Sequence, residues 1–283
     1  FSTAQKMREA VLGSAKKTGI LSELPAVTGA YKRDTEGAAK ALWKFECEDE
    51  VRGSPLYNDG YLYIGSYDNN IYALQATTGE FTWKYATDGG VVSRPAYYEG
   101  NIFLGSEDKR LHCISARSGK VVWTYFTNNP IRSSPVISDG YIFIGSDDAF
   151  LHVVNALSGR RAWRVDAGAP VRSTPCVNGD HVYFGNEVGD LFCVNLGGNT
   201  KWRYKAKRAI TASPVFHDGV VYAGSVDTLL YALDARSGYI LWRFRMTKAT
   251  ISTPCIVENY LFTGSVDNNI YCIEIHSAKE VWS

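Results

Sequence analysis

Four arginines stand close to periodic prolines and are the side chains best suited to binding chemistry. Arg52, Arg132 and Arg172 each lie three residues before a proline, and Arg94 lies one residue before another. Guanidinium groups bind carboxylates and phosphates through paired hydrogen bonds. We therefore expect these arginines to bind a small anionic ligand or the acidic side chains of a protein partner.

An alternative is that the arginines pair with carboxylates of the chain itself. A Ser-x-Asp motif recurs along the sequence, and its acidic residues in the first three units are Asp68, Asp108 and Asp148. Units five and six carry Thr211 and Ile251 at the arginine position. Any anion site is therefore weighted towards the first four units.

No residue pattern indicates catalysis or metal binding. The sequence has no Cys-x-x-Cys motif, no histidine pair at ligand spacing and no nucleophile beside a base. His112 and His152 occupy a repeat position that elsewhere holds tyrosine or phenylalanine, which favours a packing role. We expect a chain without enzymatic activity, metal or cofactor.

The six cysteines occupy small apolar positions of the repeat and are expected to be free thiols. Cys176 and Cys193 fall on the first and third strands of one unit, roughly 9–10 Å apart from two strand spacings. That separation is too long for a disulfide. Unbridged cysteines favour a cytoplasmic location, with the periplasm or an extracellular site as the alternative.

The elements that position these residues follow from a repeat marked by tryptophan. All seven tryptophans recur in steps of 40 residues, with one step of 39: Trp43, Trp83, Trp123, Trp163, Trp202, Trp242 and Trp282. Such a period indicates one supersecondary unit per repeat. Several short strands in about 40 residues are typical of a propeller blade.

The third unit illustrates the predicted strands, which are Arg132–Ile137, Tyr141–Ser146, Phe150–Asn155 and Arg161–Val165. Asp139-Gly140 predicts a two-residue hairpin turn between the first two strands. The aspartate of Ser-x-Asp can close the next turn by a hydrogen bond to the backbone. The arginines would then begin the innermost strands, near the mouth of the central channel.

The sequence predicts a short helix over residues 1–18, a linker over 19–40 and an all-β propeller over 41–283. Six complete four-strand units follow one surplus outer strand at residues 41–45. Six blades are favoured, and seven are the alternative if a further blade has lost three strands.

The residues preceding each tryptophan resemble the tryptophan-docking motif of the pyrroloquinoline-quinone (PQQ) type β-propeller repeat. The full motif is Ala-x-Asp-x-x-Ser/Thr-Gly-x-x-x-Trp, matched by Ala232, Asp234, Ser237, Gly238 and Trp242. The resemblance covers residues 43–282 and implies that each indole packs between neighbouring blades. We expect its N–H to donate to a backbone carbonyl there.

Because such propellers serve as enzymes, scaffolds and sensors, the fold leaves the function open. We favour a non-catalytic ligand-sensing or protein-interaction module. Residues 1–12 resemble the last helix of a bacterial Ser/Thr kinase domain, which implies a regulatory domain of such a kinase. The alternatives are a fragment of a quinoprotein dehydrogenase or a periplasmic scaffold resembling the outer-membrane β-barrel assembly lipoprotein.

Charge and hydropathy exclude two further classes of partner. The net charge of +1 gives no general attraction for nucleic acid. No apolar run approaches the 18 or so residues of a membrane span. The sequence does not predict the oligomeric state.

Overall fold

A computed structural model describes residues 41–283, and these residues form 24 strands in six four-stranded sheets. The described part of the chain contains no helix that could cross a membrane. The predicted helix at 1–18 and linker at 19–40 lie outside the described residues. Each sheet is one blade, so the six four-stranded blades are confirmed.

The strands of each blade follow one another along the chain. Blade 1 contains β1 (Leu56–Asn58), β2 (Tyr61–Gly65), β3 (Asn70–Gln75) and β4 (Phe81–Ala86). Blade 2 contains β5 (Ala96–Tyr98), β6 (Asn101–Gly105), β7 (Arg110–Ser115) and β8 (Val121–Phe126). Blade 3 contains β9 (Val136–Ser138), β10 (Tyr141–Gly145), β11 (Phe150–Asn155) and β12 (Arg161–Asp166).

The last three blades repeat this arrangement. Blade 4 contains β13 (Cys176–Asn178), β14 (His181–Gly185), β15 (Asp190–Asn195) and β16 (Thr200–Lys205). Blade 5 contains β17 (Val215–His217), β18 (Val220–Gly224), β19 (Leu229–Asp234) and β20 (Ile240–Arg245). Blade 6 contains β21 (Cys255–Val257), β22 (Tyr260–Gly264), β23 (Ile270–Glu274) and β24 (Lys279–Trp282).

The tight turns adopt the conformations that their sequences predict. Asp139 and Gly140 have φ values of 50° and 76°, as a hairpin turn with two left-handed residues requires. At the next turn, Asp148 Oδ1 accepts a hydrogen bond from the Phe150 N–H at 3.2 Å. Side-chain chemistry in the turns therefore fixes the register of each blade.

The innermost strand of blade 3 is shorter than predicted, because β9 begins at Val136 rather than at Arg132. The backbone before it bonds to neighbouring blades instead of to β10. The Ile131 N–H donates to Ser106 O at 3.0 Å, and Pro135 has no N–H to give. Arg132 therefore lies in a connecting segment before the strand.

The core lies between adjacent blades, and the tryptophans fill the outer part of each joint. In one joint, Phe103 and Leu111 of blade 2 pack against Ile142 and Ile144 of blade 3. Five indole N–H groups donate to a carbonyl 33 residues ahead at 2.9–3.2 Å, from Trp43, Trp83, Trp123, Trp202 and Trp242. The expected indole bond is thus present at five joints.

The chain before blade 1 fills an outer position without forming a strand. Residues 41–50 have no strand partner in the described residues, so the surplus strand expected at 41–45 is not formed. Trp43 nevertheless donates to Ala76 O at 3.0 Å, and Phe45 contacts the Tyr72 ring edge to face. This segment covers the side of blade 1 that other blades cover with an outer strand.

No described residue covers the far side of blade 6. Ile270 is 58% exposed, whereas the equivalent Ile71 and Leu230 of blades 1 and 5 are fully buried. A Cβ on Gly65 would overlap Val91 of the next blade, but Gly264 meets only Ser252 of its own blade. Blade 6 therefore does not pack on blade 1 in the way that the other neighbours pack together.

Candidate functional site

The candidate site lies at the end of the blades where the chain enters each innermost strand. We define the first rim position as the residue three before the periodic proline, and the second as the middle residue of Ser-x-Asp, or of the equivalent Asn186-Glu187-Val188 in blade 4. The first positions are Arg52, Val92, Arg132, Arg172, Thr211 and Ile251. The second positions are Tyr67, Glu107, Asp147, Glu187, Val226 and Val266. Together they form the rim surface.

Arginines and carboxylates alternate along the rim surface from blade 2 to blade 4. Arg132 Nε donates to Glu107 Oε1 of the preceding blade at 2.8 Å, and its Nη1 donates to Asp147. Arg172 Nε donates to Asp147 Oδ1 at 2.9 Å, and Arg172 Nη1 lies 3.9 Å from Glu187 Oε2. The result is a continuous ionic ladder that ties three blades together.

The positive charges of the ladder are fully compensated, with one carboxylate in excess. It contains two arginines and three carboxylates, and Asp147 is only 10% exposed between its two partners. The hydrogen bond to Asp147 raises the pKa of Arg172 above its usual value. Because each guanidinium group already binds a carboxylate, the ladder has little free positive charge with which to attract a further anion.

The carboxylates proposed as partners in the intrachain alternative have a different role. Asp108 Oδ2 lies 2.9 Å from His112 Nε2, and His112 Nδ1 lies 3.1 Å from Tyr85 Oη of the preceding blade. Asp148 and His152 form the same bridge with Tyr125. These aspartates point into the joints, so the middle residues of Ser-x-Asp pair with Arg132 and Arg172 instead.

Arg52 and Arg94 stand apart from the ladder. Arg52 Nε donates to Glu50 Oε2 at 2.7 Å, and its guanidinium lies 4.9 Å from the centre of the Tyr67 ring. The Arg94 N–H donates to Ser134 Oγ at 2.9 Å, while its exposed side chain has no partner among the described residues. The structure thus joins Arg132 with Arg172 and leaves the other two separate.

The rim surface becomes apolar in blades 5 and 6. Ile251 is 60% exposed and Val266 is 47% exposed, where blades 3 and 4 carry the ionic ladder. Thr211 and Val226 occupy these positions in blade 5. The two rim positions of a blade therefore match in character, ionic in blades 3 and 4 and apolar in blade 6.

The second rim position is what sequence reasoning missed. Acidic residues at 107, 147 and 187 follow the first rim position by 15 residues, at the same period as Arg132 and Arg172. A comparison of the two positions blade by blade would have found the pairing. Spacing alone did not indicate that Arg172 also reaches back to Asp147 of blade 3.

Within residues 41–283, no group of histidine, cysteine and carboxylate side chains is arranged to hold a metal ion. The six cysteines are all free, and three of them are buried. Burial raises the pKa of Cys113 and of Cys193 to about 12, which keeps both thiols protonated.

The sheets and tryptophan joints define a PQQ-like β-propeller. The family described as outer membrane protein assembly factor BamB matches residues 33–135, 127–205 and 188–283, and the chain belongs to this family. No curated protein matches the chain significantly.

Two solved structures are similar in fold. BamB from Moraxella catarrhalis has a TM-score of 0.74 at 20% identity, covering 84% of this chain and 75% of that one. The computationally designed Ika8 protein has a TM-score of 0.73 at 16% identity, covering 83% of this chain and 74% of that one. At these identities the likeness concerns the fold alone.

Proposed function

We propose that this propeller is a non-catalytic scaffold that binds a protein partner through its rim surface. The observation that carries the proposal is the pair of exposed apolar residues Ile251 and Val266 in blade 6, separated from the ionic ladder by blade 5. Protein interfaces combine an apolar centre with arginine-containing polar surroundings. The family description, which names an outer membrane protein assembly factor, supports the same kind of role.

The partner's chemistry follows from the two parts of the rim surface. Apolar side chains would cover Ile251 and Val266, and polar groups would face the ladder. Arg132 and Arg172 would act as rigid, already paired donors rather than as free cations. Their side chains are 34% and 41% exposed and keep some N–H groups available to a partner.

The experiment is site-specific photo-crosslinking in the cells that make the protein. A photoreactive residue at Val266 is expected to capture a defined protein, and Ile251→Ser with Val266→Ser is expected to abolish its binding without lowering Tm. Val257 is the matched control, because it lies in the same blade, is 55% exposed and sits on β21 near the opposite turn. Equal capture from positions 257 and 266 would contradict the proposal.

Anion binding remains a second proposal, for Arg52, Arg94, Arg132 and Arg172. Since two of these are neutralised in the ladder and Arg52 is paired with Glu50, Arg94 supplies the free positive charge. We expect Arg94→Gln to weaken binding of a short acidic peptide more than Arg172→Gln does. The binding should also fall with added salt. Equal losses in the two variants would assign the anion to the ladder instead.

Two alternatives are tested separately. Alcohol-dependent dye reduction in the presence of PQQ and calcium would support a quinoprotein dehydrogenase. The absence of this reaction would support the scaffold. A catalytic loop encoded upstream of Phe1 would support the regulatory domain of a Ser/Thr kinase. For the compartment, the family description favours the periplasmic alternative over the cytoplasm. Fractionation of cells expressing the natural gene distinguishes them.

A further inference from the structure

The joint between blades 3 and 4 differs from the other joints. The indole N–H of Trp163 has no hydrogen-bond partner among the described residues, unlike that of Trp123 or Trp202. The turn that should receive it is Leu196-Gly197-Gly198, whereas blades 1, 2, 3 and 5 carry the longer Ala-x-Ser/Thr-Gly and blade 6 carries a turn of the same greater length. This shortened turn produces the single step of 39 residues.

The shortened turn also lies farther from the indole. A Cβ on Gly198 would lie 3.0 Å from Trp163, compared with 2.7 Å between Gly159 and Trp123 and 2.6 Å between Gly238 and Trp202. Leucine replaces the small alanine that follows the third strand in blades 1, 2, 3 and 5. The joint is consequently looser here than at its neighbours.

A cavity of about 260 Å³ occupies this looser joint. Its eight lining residues, all in the described part of the chain, are Ser138, Asp139, Tyr141, Phe143, Val153, Ala162, Trp163 and Leu196. None of them is basic. A second cavity of about 310 Å³ adjoins it across Leu196 and includes Asp180 and Lys201.

Some lining groups of the cavity attract a cation, and another can donate a hydrogen bond. Tyr141, which is 40% exposed, and Trp163 present aromatic rings, which attract cations through their π electrons. The Asp139 carboxylate accepts one hydrogen bond from Ser138 Oγ at 3.2 Å and has no cationic partner among the described residues. The unpaired Trp163 N–H can donate a hydrogen bond to an oxygen acceptor.

We propose that this cavity binds a short organic ammonium compound that carries an oxygen acceptor, the chemistry of an amino alcohol. The ammonium group faces Asp139 and the aromatic rings, and the oxygen accepts from Trp163. Drug-sized ligands occupy pockets of about 300–1,000 Å³, so this cavity of about 260 Å³ suits a smaller molecule. The hairpin turn at Asp139 lies at the end of the blade opposite to the rim surface, so the site is independent of the proposed partner.

The test is titration with choline, followed by the indole N–H signals in a ¹H–¹⁵N NMR spectrum. Trp163→Phe identifies the signal of Trp163 by its loss. We expect choline to shift this signal saturably and the other indole signals far less. Asp139→Asn should weaken binding about tenfold, and asparagine tolerates the left-handed conformation at φ 50°.

Matched controls make the outcome decisive. Asp59→Asn alters the same turn position in blade 1 and should leave binding unchanged. Dimethylbutanol, the uncharged carbon analogue of choline, should bind much more weakly than choline. Tetramethylammonium should also bind more weakly than choline, because it has no oxygen to accept the hydrogen bond from Trp163. The proposal is overturned if choline leaves the Trp163 signal in place, if dimethylbutanol binds equally well, or if both aspartate variants behave alike.

Discussion

At the scale of single residues, the buried aspartates of Ser-x-Asp hold two blades at once. Asp108 accepts from the backbone N–H groups of Arg110 at 2.9 Å and of Asp88 at 3.2 Å, and it contacts His112. Burial by itself raises the pKa of Asp108, but these hydrogen bonds and the histidine together lower it below its usual value. The ionised carboxylate is therefore the form that the fold stabilises.

This arrangement predicts a pH-dependent loss of stability in Asp108→Asn. Because the folded-state pKa of Asp108 is the lower one, its contribution is complete above the unfolded-state pKa of about 3.9. It is lost as the pH falls through the folded-state pKa. We expect the variant to lose about 1–3 kcal/mol at pH 7 and to approach wild type at pH ~3. Urea unfolding over this pH range measures the difference.

The control for this experiment is Asp59→Asn, on an exposed hairpin turn of blade 1. We expect it to follow the wild-type stability at every pH. A constant deficit of Asp108→Asn across the range would mean that the carboxylate charge is not what stabilises the joint.

At the scale of the elements, each joint is closed by one indole and one small residue of the next blade. Trp123 donates to Ala156 O at 3.2 Å, and the left-handed Gly159, with φ 67°, brings its backbone onto the ring. At the next joint, Trp163 lacks this bond and the turn ahead of it is one residue shorter, whereas Trp242 keeps the bond to Ile275 O at 2.9 Å beside a turn of standard length. Trp123 therefore stabilises its joint by packing and by a hydrogen bond, whereas Trp163 stabilises its joint by packing alone.

We predict that Trp123→Phe is more destabilising than Trp163→Phe by about 1 kcal/mol, the net value of one hydrogen bond. Phenylalanine keeps an aromatic ring in both joints, so the comparison isolates the loss of the N–H donor. Chemical denaturation of the two variants under identical conditions measures the difference. Equal losses would indicate that Trp163 has a hydrogen-bond partner in solution.

At the scale of the whole molecule, the six blades form a series in which each blade covers the next, and within residues 41–283 nothing covers the far side of blade 6. Ile270 lies where five other blades bury a leucine or isoleucine completely, at Ile71, Leu111, Leu151, Leu191 and Leu230. In blade 6 the side chain is 58% exposed. The exposure of the side chain at this one repeat position thus shows whether a neighbouring blade packs against it.

The exposure predicts that Ile270→Ser costs less than about 1 kcal/mol, whereas Ile71→Ser costs about 3 kcal/mol or more. Only the second substitution removes an apolar side chain from a packed joint and buries a hydroxyl there. Thermal and urea unfolding measure both. If the two losses are equal, another surface covers blade 6 in solution, and light scattering at several concentrations would then test self-association.

The sequence determined the repeat, the four-stranded blade and the roles of the turn residues and tryptophans, because these depend on local chemistry. Asp139-Gly140 can form a tight turn because of its own backbone preferences. An indole with an alanine ahead of it can close a joint, and this too depends on the local residues alone. The fold and five of the indole bonds were predictable for this reason.

Only the tertiary structure decided which charges meet. The ladder joins Arg172 to Asp147 of the preceding blade and to Glu187 of its own, and these contacts depend on how one blade is rotated against the next. The same rotation directs Asp108 and Asp148 into the joints, away from the arginines that seemed their natural partners. Local spacing does not encode that rotation, because the packing of side chains between whole sheets sets it.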